Sequence, residues 1–245
     1  MEIDPKKFSL PKDGNSKSEN EDYSNFSVDK SRFAVADGAT ETSFSGPWAK
    51  QLVRAFTKGD LSVPLEIGQL KPLQADWWEN NVRRRPLPWY AEEKANSGAF
   101  AAFVGLEFLK ENSESRTENI WRATAVGDSC LIHVRENEMK AFPVTDSASF
   151  NNHPNLLSST AGFNENEEDL IKTATGSWRC DDLFLLMTDA LACWFLKECE
   201  QGNSPWNRLR DLDTDDSFKQ LVVNLRTARQ IKNDDVTLAR IDIRA

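Results

Sequence analysis

An α+β fold, with antiparallel sheets and helices outside them, is what this sequence predicts, and three observations lead to it. Short runs that are apolar or alternate apolar with polar residues recur along the chain, as strands do. Tight polar turns separate some of them, at Asp29-Lys30 and at Glu136-Asn137-Glu138, which makes them hairpins. The amphipathic stretches do not alternate regularly with the strands, as a parallel βαβ chain would require.

Taken in order, residues 1–20 are polar, rich in Lys, Ser and Asn, and read as an arm or loop. Strands are expected at 23–28 and 31–36; the second, Arg32-Phe33-Ala34-Val35-Ala36, is nearly all apolar, hence central, and ends at Asp37-Gly38. A helix is expected over about 47–58, with Trp48, Leu52, Val53 and Phe56 on one face and Gly59 as its stop. Residues 60–90 form an insertion that Pro64, Pro72, Pro86 and Pro88 interrupt, either an irregular connection or a broken pair of short helices. Trp77, Trp78 and Trp89 are too apolar to leave in water, so this insertion is expected to pack on the domain.

A long helix is expected over about 91–111, where Gly98, Ala101, Ala102 and Gly105 allow close approach to a neighbour. Strands follow at 121–126, 129–135 and 139–144. Residues 145–178 are polar and flap-like, with a turn cluster at Asn151-Asn152-His153-Pro154-Asn155. Leu183–Met187 reads as a strand ending at Thr188-Asp189. Helices are expected at about 190–200 and 215–230, and a last strand at 236–243. Length alone suits one domain over residues 1–245.

Composition narrows the function. The net charge of −9 argues against non-specific binding to nucleic acid or anionic membranes, and suits carboxylates that hold hard divalent cations. Beside Trp77-Trp78, the Arg83-Arg84-Arg85 run fits a partner surface or local ion pairing better than nucleic acid. Two histidines, His133 and His153, leave little for a His-rich zinc site or a Ser-His-Asp hydrolase. His133 reads as a packed or edge residue and His153 as a solvated loop residue. Four cysteines without a CxxC pair, and no signal-peptide or membrane-length apolar run, point to a reduced, cytoplasmic protein. A monomer without nucleic-acid or membrane partners is expected.

The informative residues are isolated acids at the ends of apolar strands. Asp37 and Asp189 follow such runs, Asp234 and Asp235 precede one, and Glu21 and Asp22 precede the first strand. Each alone is an ordinary turn or cap residue. Gathered at one end of a sandwich they would repel one another, and hard cations such as Mg²⁺ or Mn²⁺ relieve that repulsion through oxygen ligands.

The series Asn20-Glu21-Asp22, Val35-Ala36-Asp37-Gly38, Gly127-Asp128-Ser129, Thr188-Asp189 and Asp234-Asp235-Val236-Thr237 resembles the metal-dependent protein serine/threonine phosphatases of the PPM, or type-2C, family in its bacterial form. The resemblance runs from about residue 15 to 243. It implies a four-layer αββα sandwich and a centre of two Mn²⁺ or Mg²⁺ ions between the sheets. It further implies hydrolysis of phosphoserine and phosphothreonine on a phosphorylated protein by a metal-activated water, a signalling role. In that light Asp37 would bridge both ions and the Gly38 carbonyl would bind one. Asp189 and Asp234 would complete the other site, with Asp235 the alternative to Asp234. Glu21 and Asp22 would order water. Lys17 stands where the family commonly has a phosphate-binding Arg. Asp128 would serve a third ion only weakly, because Cys193 stands where some members have a second acid for it. Ala39-Thr40-Glu41 and Ala190 depart from the family's pattern. The same resemblance leaves a second function open: a catalytically weak, phosphoprotein-binding or regulatory module on the same fold.

Overall fold

The computed structural model describes residues 2–86, 88–112, 117–150, 154–165 and 169–245. His153, with Asn151 and Asn152 of its turn cluster, lies outside the described residues. In chain order the first strands and helices are β1 (Glu2–Leu10), β2 (Tyr23–Ser27), β3 (Arg32–Gly38), α1 (Ser45–Lys58), α2 (Lys71–Trp78) and α3 (Trp89–Asn96). Next come β4 (Phe100–Asn112), β5 (Thr117–Val126), β6 (Cys130–Arg135), β7 (Glu138–Phe142), β8 (Leu157–Ser158), β9 (Lys172–Ser177) and β10 (Leu183–Met187). The chain finishes with α4 (Asp189–Glu200), α5 (Pro205–Arg210), α6 (Asp215–Thr227) and β11 (Val236–Arg244).

The strands form two antiparallel sheets, in the orders β1-β11-β10-β6-β7 and β2-β3-β4-β5-β9, with β8 paired to β4. Their residues alternate between two destinations, as the pleat requires. Phe33 and Val35 of β3 and Phe184 and Leu186 of β10 meet between the sheets. Ala34 and Ala36 turn outward under α1, while Leu183, Leu185 and Met187 turn outward under α4 and α6. Three buried layers of side chains thus hold four layers of backbone in an αββα sandwich.

Three expected elements are corrected. The first is the flap-like region at 145–178, which carries β8 and β9; the mostly exposed, edge position of β9 leaves its Thr and Ser residues without an apolar signal. The arm at 1–20 contains β1, a strand at the rim of its sheet. Only Phe8 of β1 is buried, and a rim strand tolerates Pro5 and profits from Lys6 and Lys7, so its sequence carries no apolar signal. The expected helix at 91–111 is a short helix, α3, followed by the long strand β4. Strand β4 is buried on both faces, with Phe103 toward α1 and Val104 and Leu106 between the sheets. A continuous apolar run of that kind has no strand period to read. Its small residues do serve close approach: a Cβ on Gly105 would stand 2.7 Å from the Phe56 ring.

The 60–90 insertion is largely helical and packs through Trp77, whereas Trp78, expected to be buried with it, is 42% exposed, on another side of its short helix. Leu61, Leu65, Leu70 and Trp77 are buried against α1, and the Trp77 indole donates to the Phe44 carbonyl at 3.2 Å. No helix among the described residues is long and apolar enough to cross a membrane.

Candidate metal centre

Strand register brings the acidic strand ends to one edge of the sandwich. In one sheet, Tyr23 pairs with Ala36, Gly38 with Ala101, and Phe103 with Val126. In the other, Leu10 and Val236, Met187 and Leu238, and Met187 and Cys130 pair. The ends that carry Asp22, Asp37, Asp128, Asp189 and Asp234 therefore meet. A hydrogen-bonded bridge joins the sheets there: the Thr188 hydroxyl donates to Asp22 Oδ2 at 3.0 Å and accepts from the Thr237 N–H at 3.0 Å.

The aspartates hold one another's protons on. Burial, then the charges of Asp235 and Asp189, pushes the Asp22 carboxyl well above the usual range. Its Oδ1 is buried without a partner. Asp37 is half-buried as a residue, yet protein crowds its carboxylate, and that desolvation with Asp22, Asp189, Asp128 and Asp234 pushes it up as well. Asp189 is raised by burial and by Asp234, against the hydrogen bond that its carboxylate accepts from the Ala190 N–H. Asp128 is raised to about 7, by burial and then by Asp189.

Asp234 and Asp235 separate into different roles. The Asp235 carboxylate is buried and accepts from two backbone N–H groups, Lys12 at 2.8 Å and Glu21 at 2.8 Å. It staples the 11–22 segment to the start of β11. Asp234 instead presents its charge to Asp37, Asp128 and Asp189. Glu21 also departs from its neighbour: its carboxylate accepts from Ser45 at the start of α1, while Asp22 points into the acidic group. Gly38 is required where it stands, since a Cβ there would lie 2.8 Å from the Ser45 carbonyl carbon and 2.9 Å from the Glu21 oxygen. Lys17 is exposed and lines, with Asp22, a cleft of 990 Å³.

One participant was not anticipated. Lys232 lies 2.8 Å from Asp234, and its ammonium is held charged by that contact, by Asp189 and by Asp37, against its partial burial. It supplies the group with a tethered cation. A lysine two positions before the Asp234-Asp235 pair is the only trace of this in the sequence. Cys193 is near enough to Asp189 for that charge, after burial, to push its thiol up, so it stands there neutral.

Among the described residues, no three His, Cys, Asp or Glu side chains are closed into a ready-made metal cage. The donor set nonetheless fits a hard dication. It is all oxygen, it contains an orphaned buried carboxylate oxygen, and its carboxyls are pushed up by burial and by one another's charge, as a group short of positive charge would be.

Two antiparallel sheets face to face, flanked by helices, with acids at one inter-sheet edge, is the fold of bacterial PPM-type serine/threonine phosphatases. Solved structures bear this out for the fold. The Mycobacterium tuberculosis serine/threonine phosphatase PstP/Ppp superposes with a TM-score of 0.65 at 15% identity, over 100% of both chains. The catalytic domain of PstP in complex with two manganese ions gives 0.65 at 15% identity, over 99% of both chains. PppA of Pseudomonas aeruginosa, described as a key regulatory component of T6SS, gives 0.57 at 18% identity, over 99% of this chain and 98% of its own. No protein-family model and no curated protein matches the sequence.

Proposed function

We propose that residues 1–245 form one domain that hydrolyses phosphoserine and phosphothreonine on proteins, with two Mn²⁺ or Mg²⁺ ions per subunit. The observation that carries this reading is the mutual elevation of Asp22, Asp37, Asp128 and Asp189, four acids that strand register gathers at one edge of the two sheets. The PstP structure with two manganese ions supports the choice of metal, being a relative in fold. Asp37, the Gly38 carbonyl, Asp189 and Asp234 are the residues that would hold the pair. Asp128 would hold a third ion weakly, since the nearby Cys193 thiol is a poor partner for a hard cation. When bound, the ions supply positive charge to the phosphoryl oxygens and lower the pKa of water at the site.

The chain's own groups do the rest. Lys17 offers a point charge to the phosphate from the wall of the cleft. Asp22, with one oxygen committed to Thr188 and the other free, can accept or return a proton at Oδ1. Asp235 fixes the segment that carries both of them. A phosphoprotein-binding module of weak activity is the second reading, favoured by Lys232, which already neutralises part of the acidic group.

Hydrolysis of p-nitrophenyl phosphate and of a phosphoserine peptide separates the two. The first reading predicts turnover that needs Mn²⁺ and stops with EDTA. Phosphopeptide binding without turnover in saturating Mn²⁺ would select the second.

A further inference from the structure

The 990 Å³ cleft that reaches Asp22 and Lys17 continues between the rim of β1 and the exposed face of α1. Its walls carry six cations, Lys7, Lys17, Lys50, Arg54, Lys58 and Arg85, against four aspartates, an excess of positive charge in a chain of net charge −9. No carboxylate among the described residues pairs with any of the six. Their neighbours show the contrast: Arg83 and Arg84 both pair with Glu79, at 3.1 and 3.0 Å.

Three of the six form a row. Lys50, Arg54 and Lys58 recur every four residues on α1, so they stand one above another and repel. A helix surface built only for its own stability would interleave acids there. Aromatic rings steady several of these cations instead: Lys50 and Arg54 lie 5.6 and 5.8 Å from the centre of the Tyr23 ring, and Arg85 lies 5.0 Å from that of Phe44. The cleft is also bordered by β1 and β2, the outermost strands of their sheets, whose outer backbone groups have no strand neighbour among the described residues.

We propose that this cleft docks an extended acidic segment of the phosphoprotein, adjacent in sequence to the residue whose phosphate is removed. The row from Lys50 to Lys58 rises about 12 Å, at ~1.5 Å per helical residue. That matches roughly four residues of an extended peptide at ~3.3 Å each. A short acidic peptide needs only this local field, whereas a long polyanion such as nucleic acid would meet the repulsion of the whole chain. The proposal rests on the phosphatase reading for its chemistry, and on the cleft alone for its binding.

The test uses the full chain with Lys50→Gln, Arg54→Gln and Lys58→Gln combined, which removes repulsion on an exposed helix face and leaves the acidic group untouched. Phosphoserine peptides carry four Asp/Glu residues before or after the phosphoserine, or four alanines. With one of the acidic peptides, the wild type is expected to show a KM about tenfold below that of the alanine peptide. The triple variant should lose that difference, with kcat, and the rate on p-nitrophenyl phosphate, unchanged. Equal KM values for acidic and alanine peptides in the wild type, or an unchanged preference in the variant, overturn the proposal. Anisotropy with the unphosphorylated acidic peptide reads the cleft even if no hydrolysis is found: binding lost in the variant supports docking, while its absence in the wild type refutes it. Tighter binding of single-stranded DNA than of the peptide would also refute it.

Discussion

Removing the charge of Asp128 in the metal-free protein should abolish a pH dependence that its surroundings impose. Asp128 is buried beside Asp189, and its pKa stands at about 7 in the fold against 3.8 for an unperturbed group. A folded-state pKa above the unfolded value means the native state binds the extra proton. Stability from this source is complete below about 4 and is lost as pH rises through about 7. One proton gives a slope of about 1.4 kcal/mol per pH unit that falls to half at the folded pKa, so the wild type should lose roughly 2 kcal/mol between pH 5 and 7 through this group. Asp128→Asn keeps the shape and removes that contribution. Urea unfolding in EDTA at pH 5, 6 and 7 should show the variant gaining on the wild type by that amount. Saturating Mn²⁺ should erase most of the difference, because cations replace the protons. Wild-type and variant stabilities that stay parallel from pH 5 to 7 would refute the idea that the acidic group is starved of positive charge.

Three further outcomes are expected. Lys232→Met should tighten Mn²⁺ binding about fivefold by calorimetry, from ~1 kcal/mol for a half-exposed ion pair that no longer competes; weaker binding would make Lys232 a support rather than a rival. Gly38→Ala should lower the melting temperature and the Mn²⁺ affinity together, since the new methyl meets backbone at 2.8 and 2.9 Å. Asp182→Asn, far from the centre, should cost about 3 kcal/mol. Burial alone would raise the Asp182 carboxyl, but Arg135 at 2.7 and 2.8 Å, the nearby His133 and the Arg179 N–H outweigh it and hold it well below the usual range. Its contribution is present above the unfolded pKa and is lost as pH falls, so the variant and wild type should converge in acid melts.

The fold class and the acids at the strand ends were legible in the sequence, whereas two of the strands and the separate settings of Asp234 and Asp235 were not. Asp37 and Asp189 stand out because a carboxylate ending an apolar strand must be paid for by a partner or a cation. Strand β4 was hidden because burial on both faces erases the period that distinguishes strand from helix, and β1 because a rim strand is mostly solvated. The choice between Asp234 and Asp235 depends on where the Lys12 and Glu21 N–H groups arrive, a long-range fact that no local pattern contains. Lys232 was missed for the same reason, since its meaning comes from Asp37 and Asp189, distant in sequence. His133 was anticipated as packed: it lies 4.4 Å from the Phe184 ring centre, stacked, with Nε2 3.0 Å from Asp182 but poorly aligned to it.

A two-ion phosphatase centre is tested most directly by Mn²⁺ calorimetry on the wild type and Asp37→Asn, read beside p-nitrophenyl phosphate turnover. Asp37 is the carboxylate on which Asp22, Asp189, Asp128 and Asp234 all act, so it is the residue whose loss should disturb both ions. Two Mn²⁺ per chain in the wild type, with both sites weakened and turnover lost in Asp37→Asn while the variant remains folded, is the predicted result. Wild-type turnover in Asp37→Asn, or a wild type that binds no Mn²⁺, would contradict it.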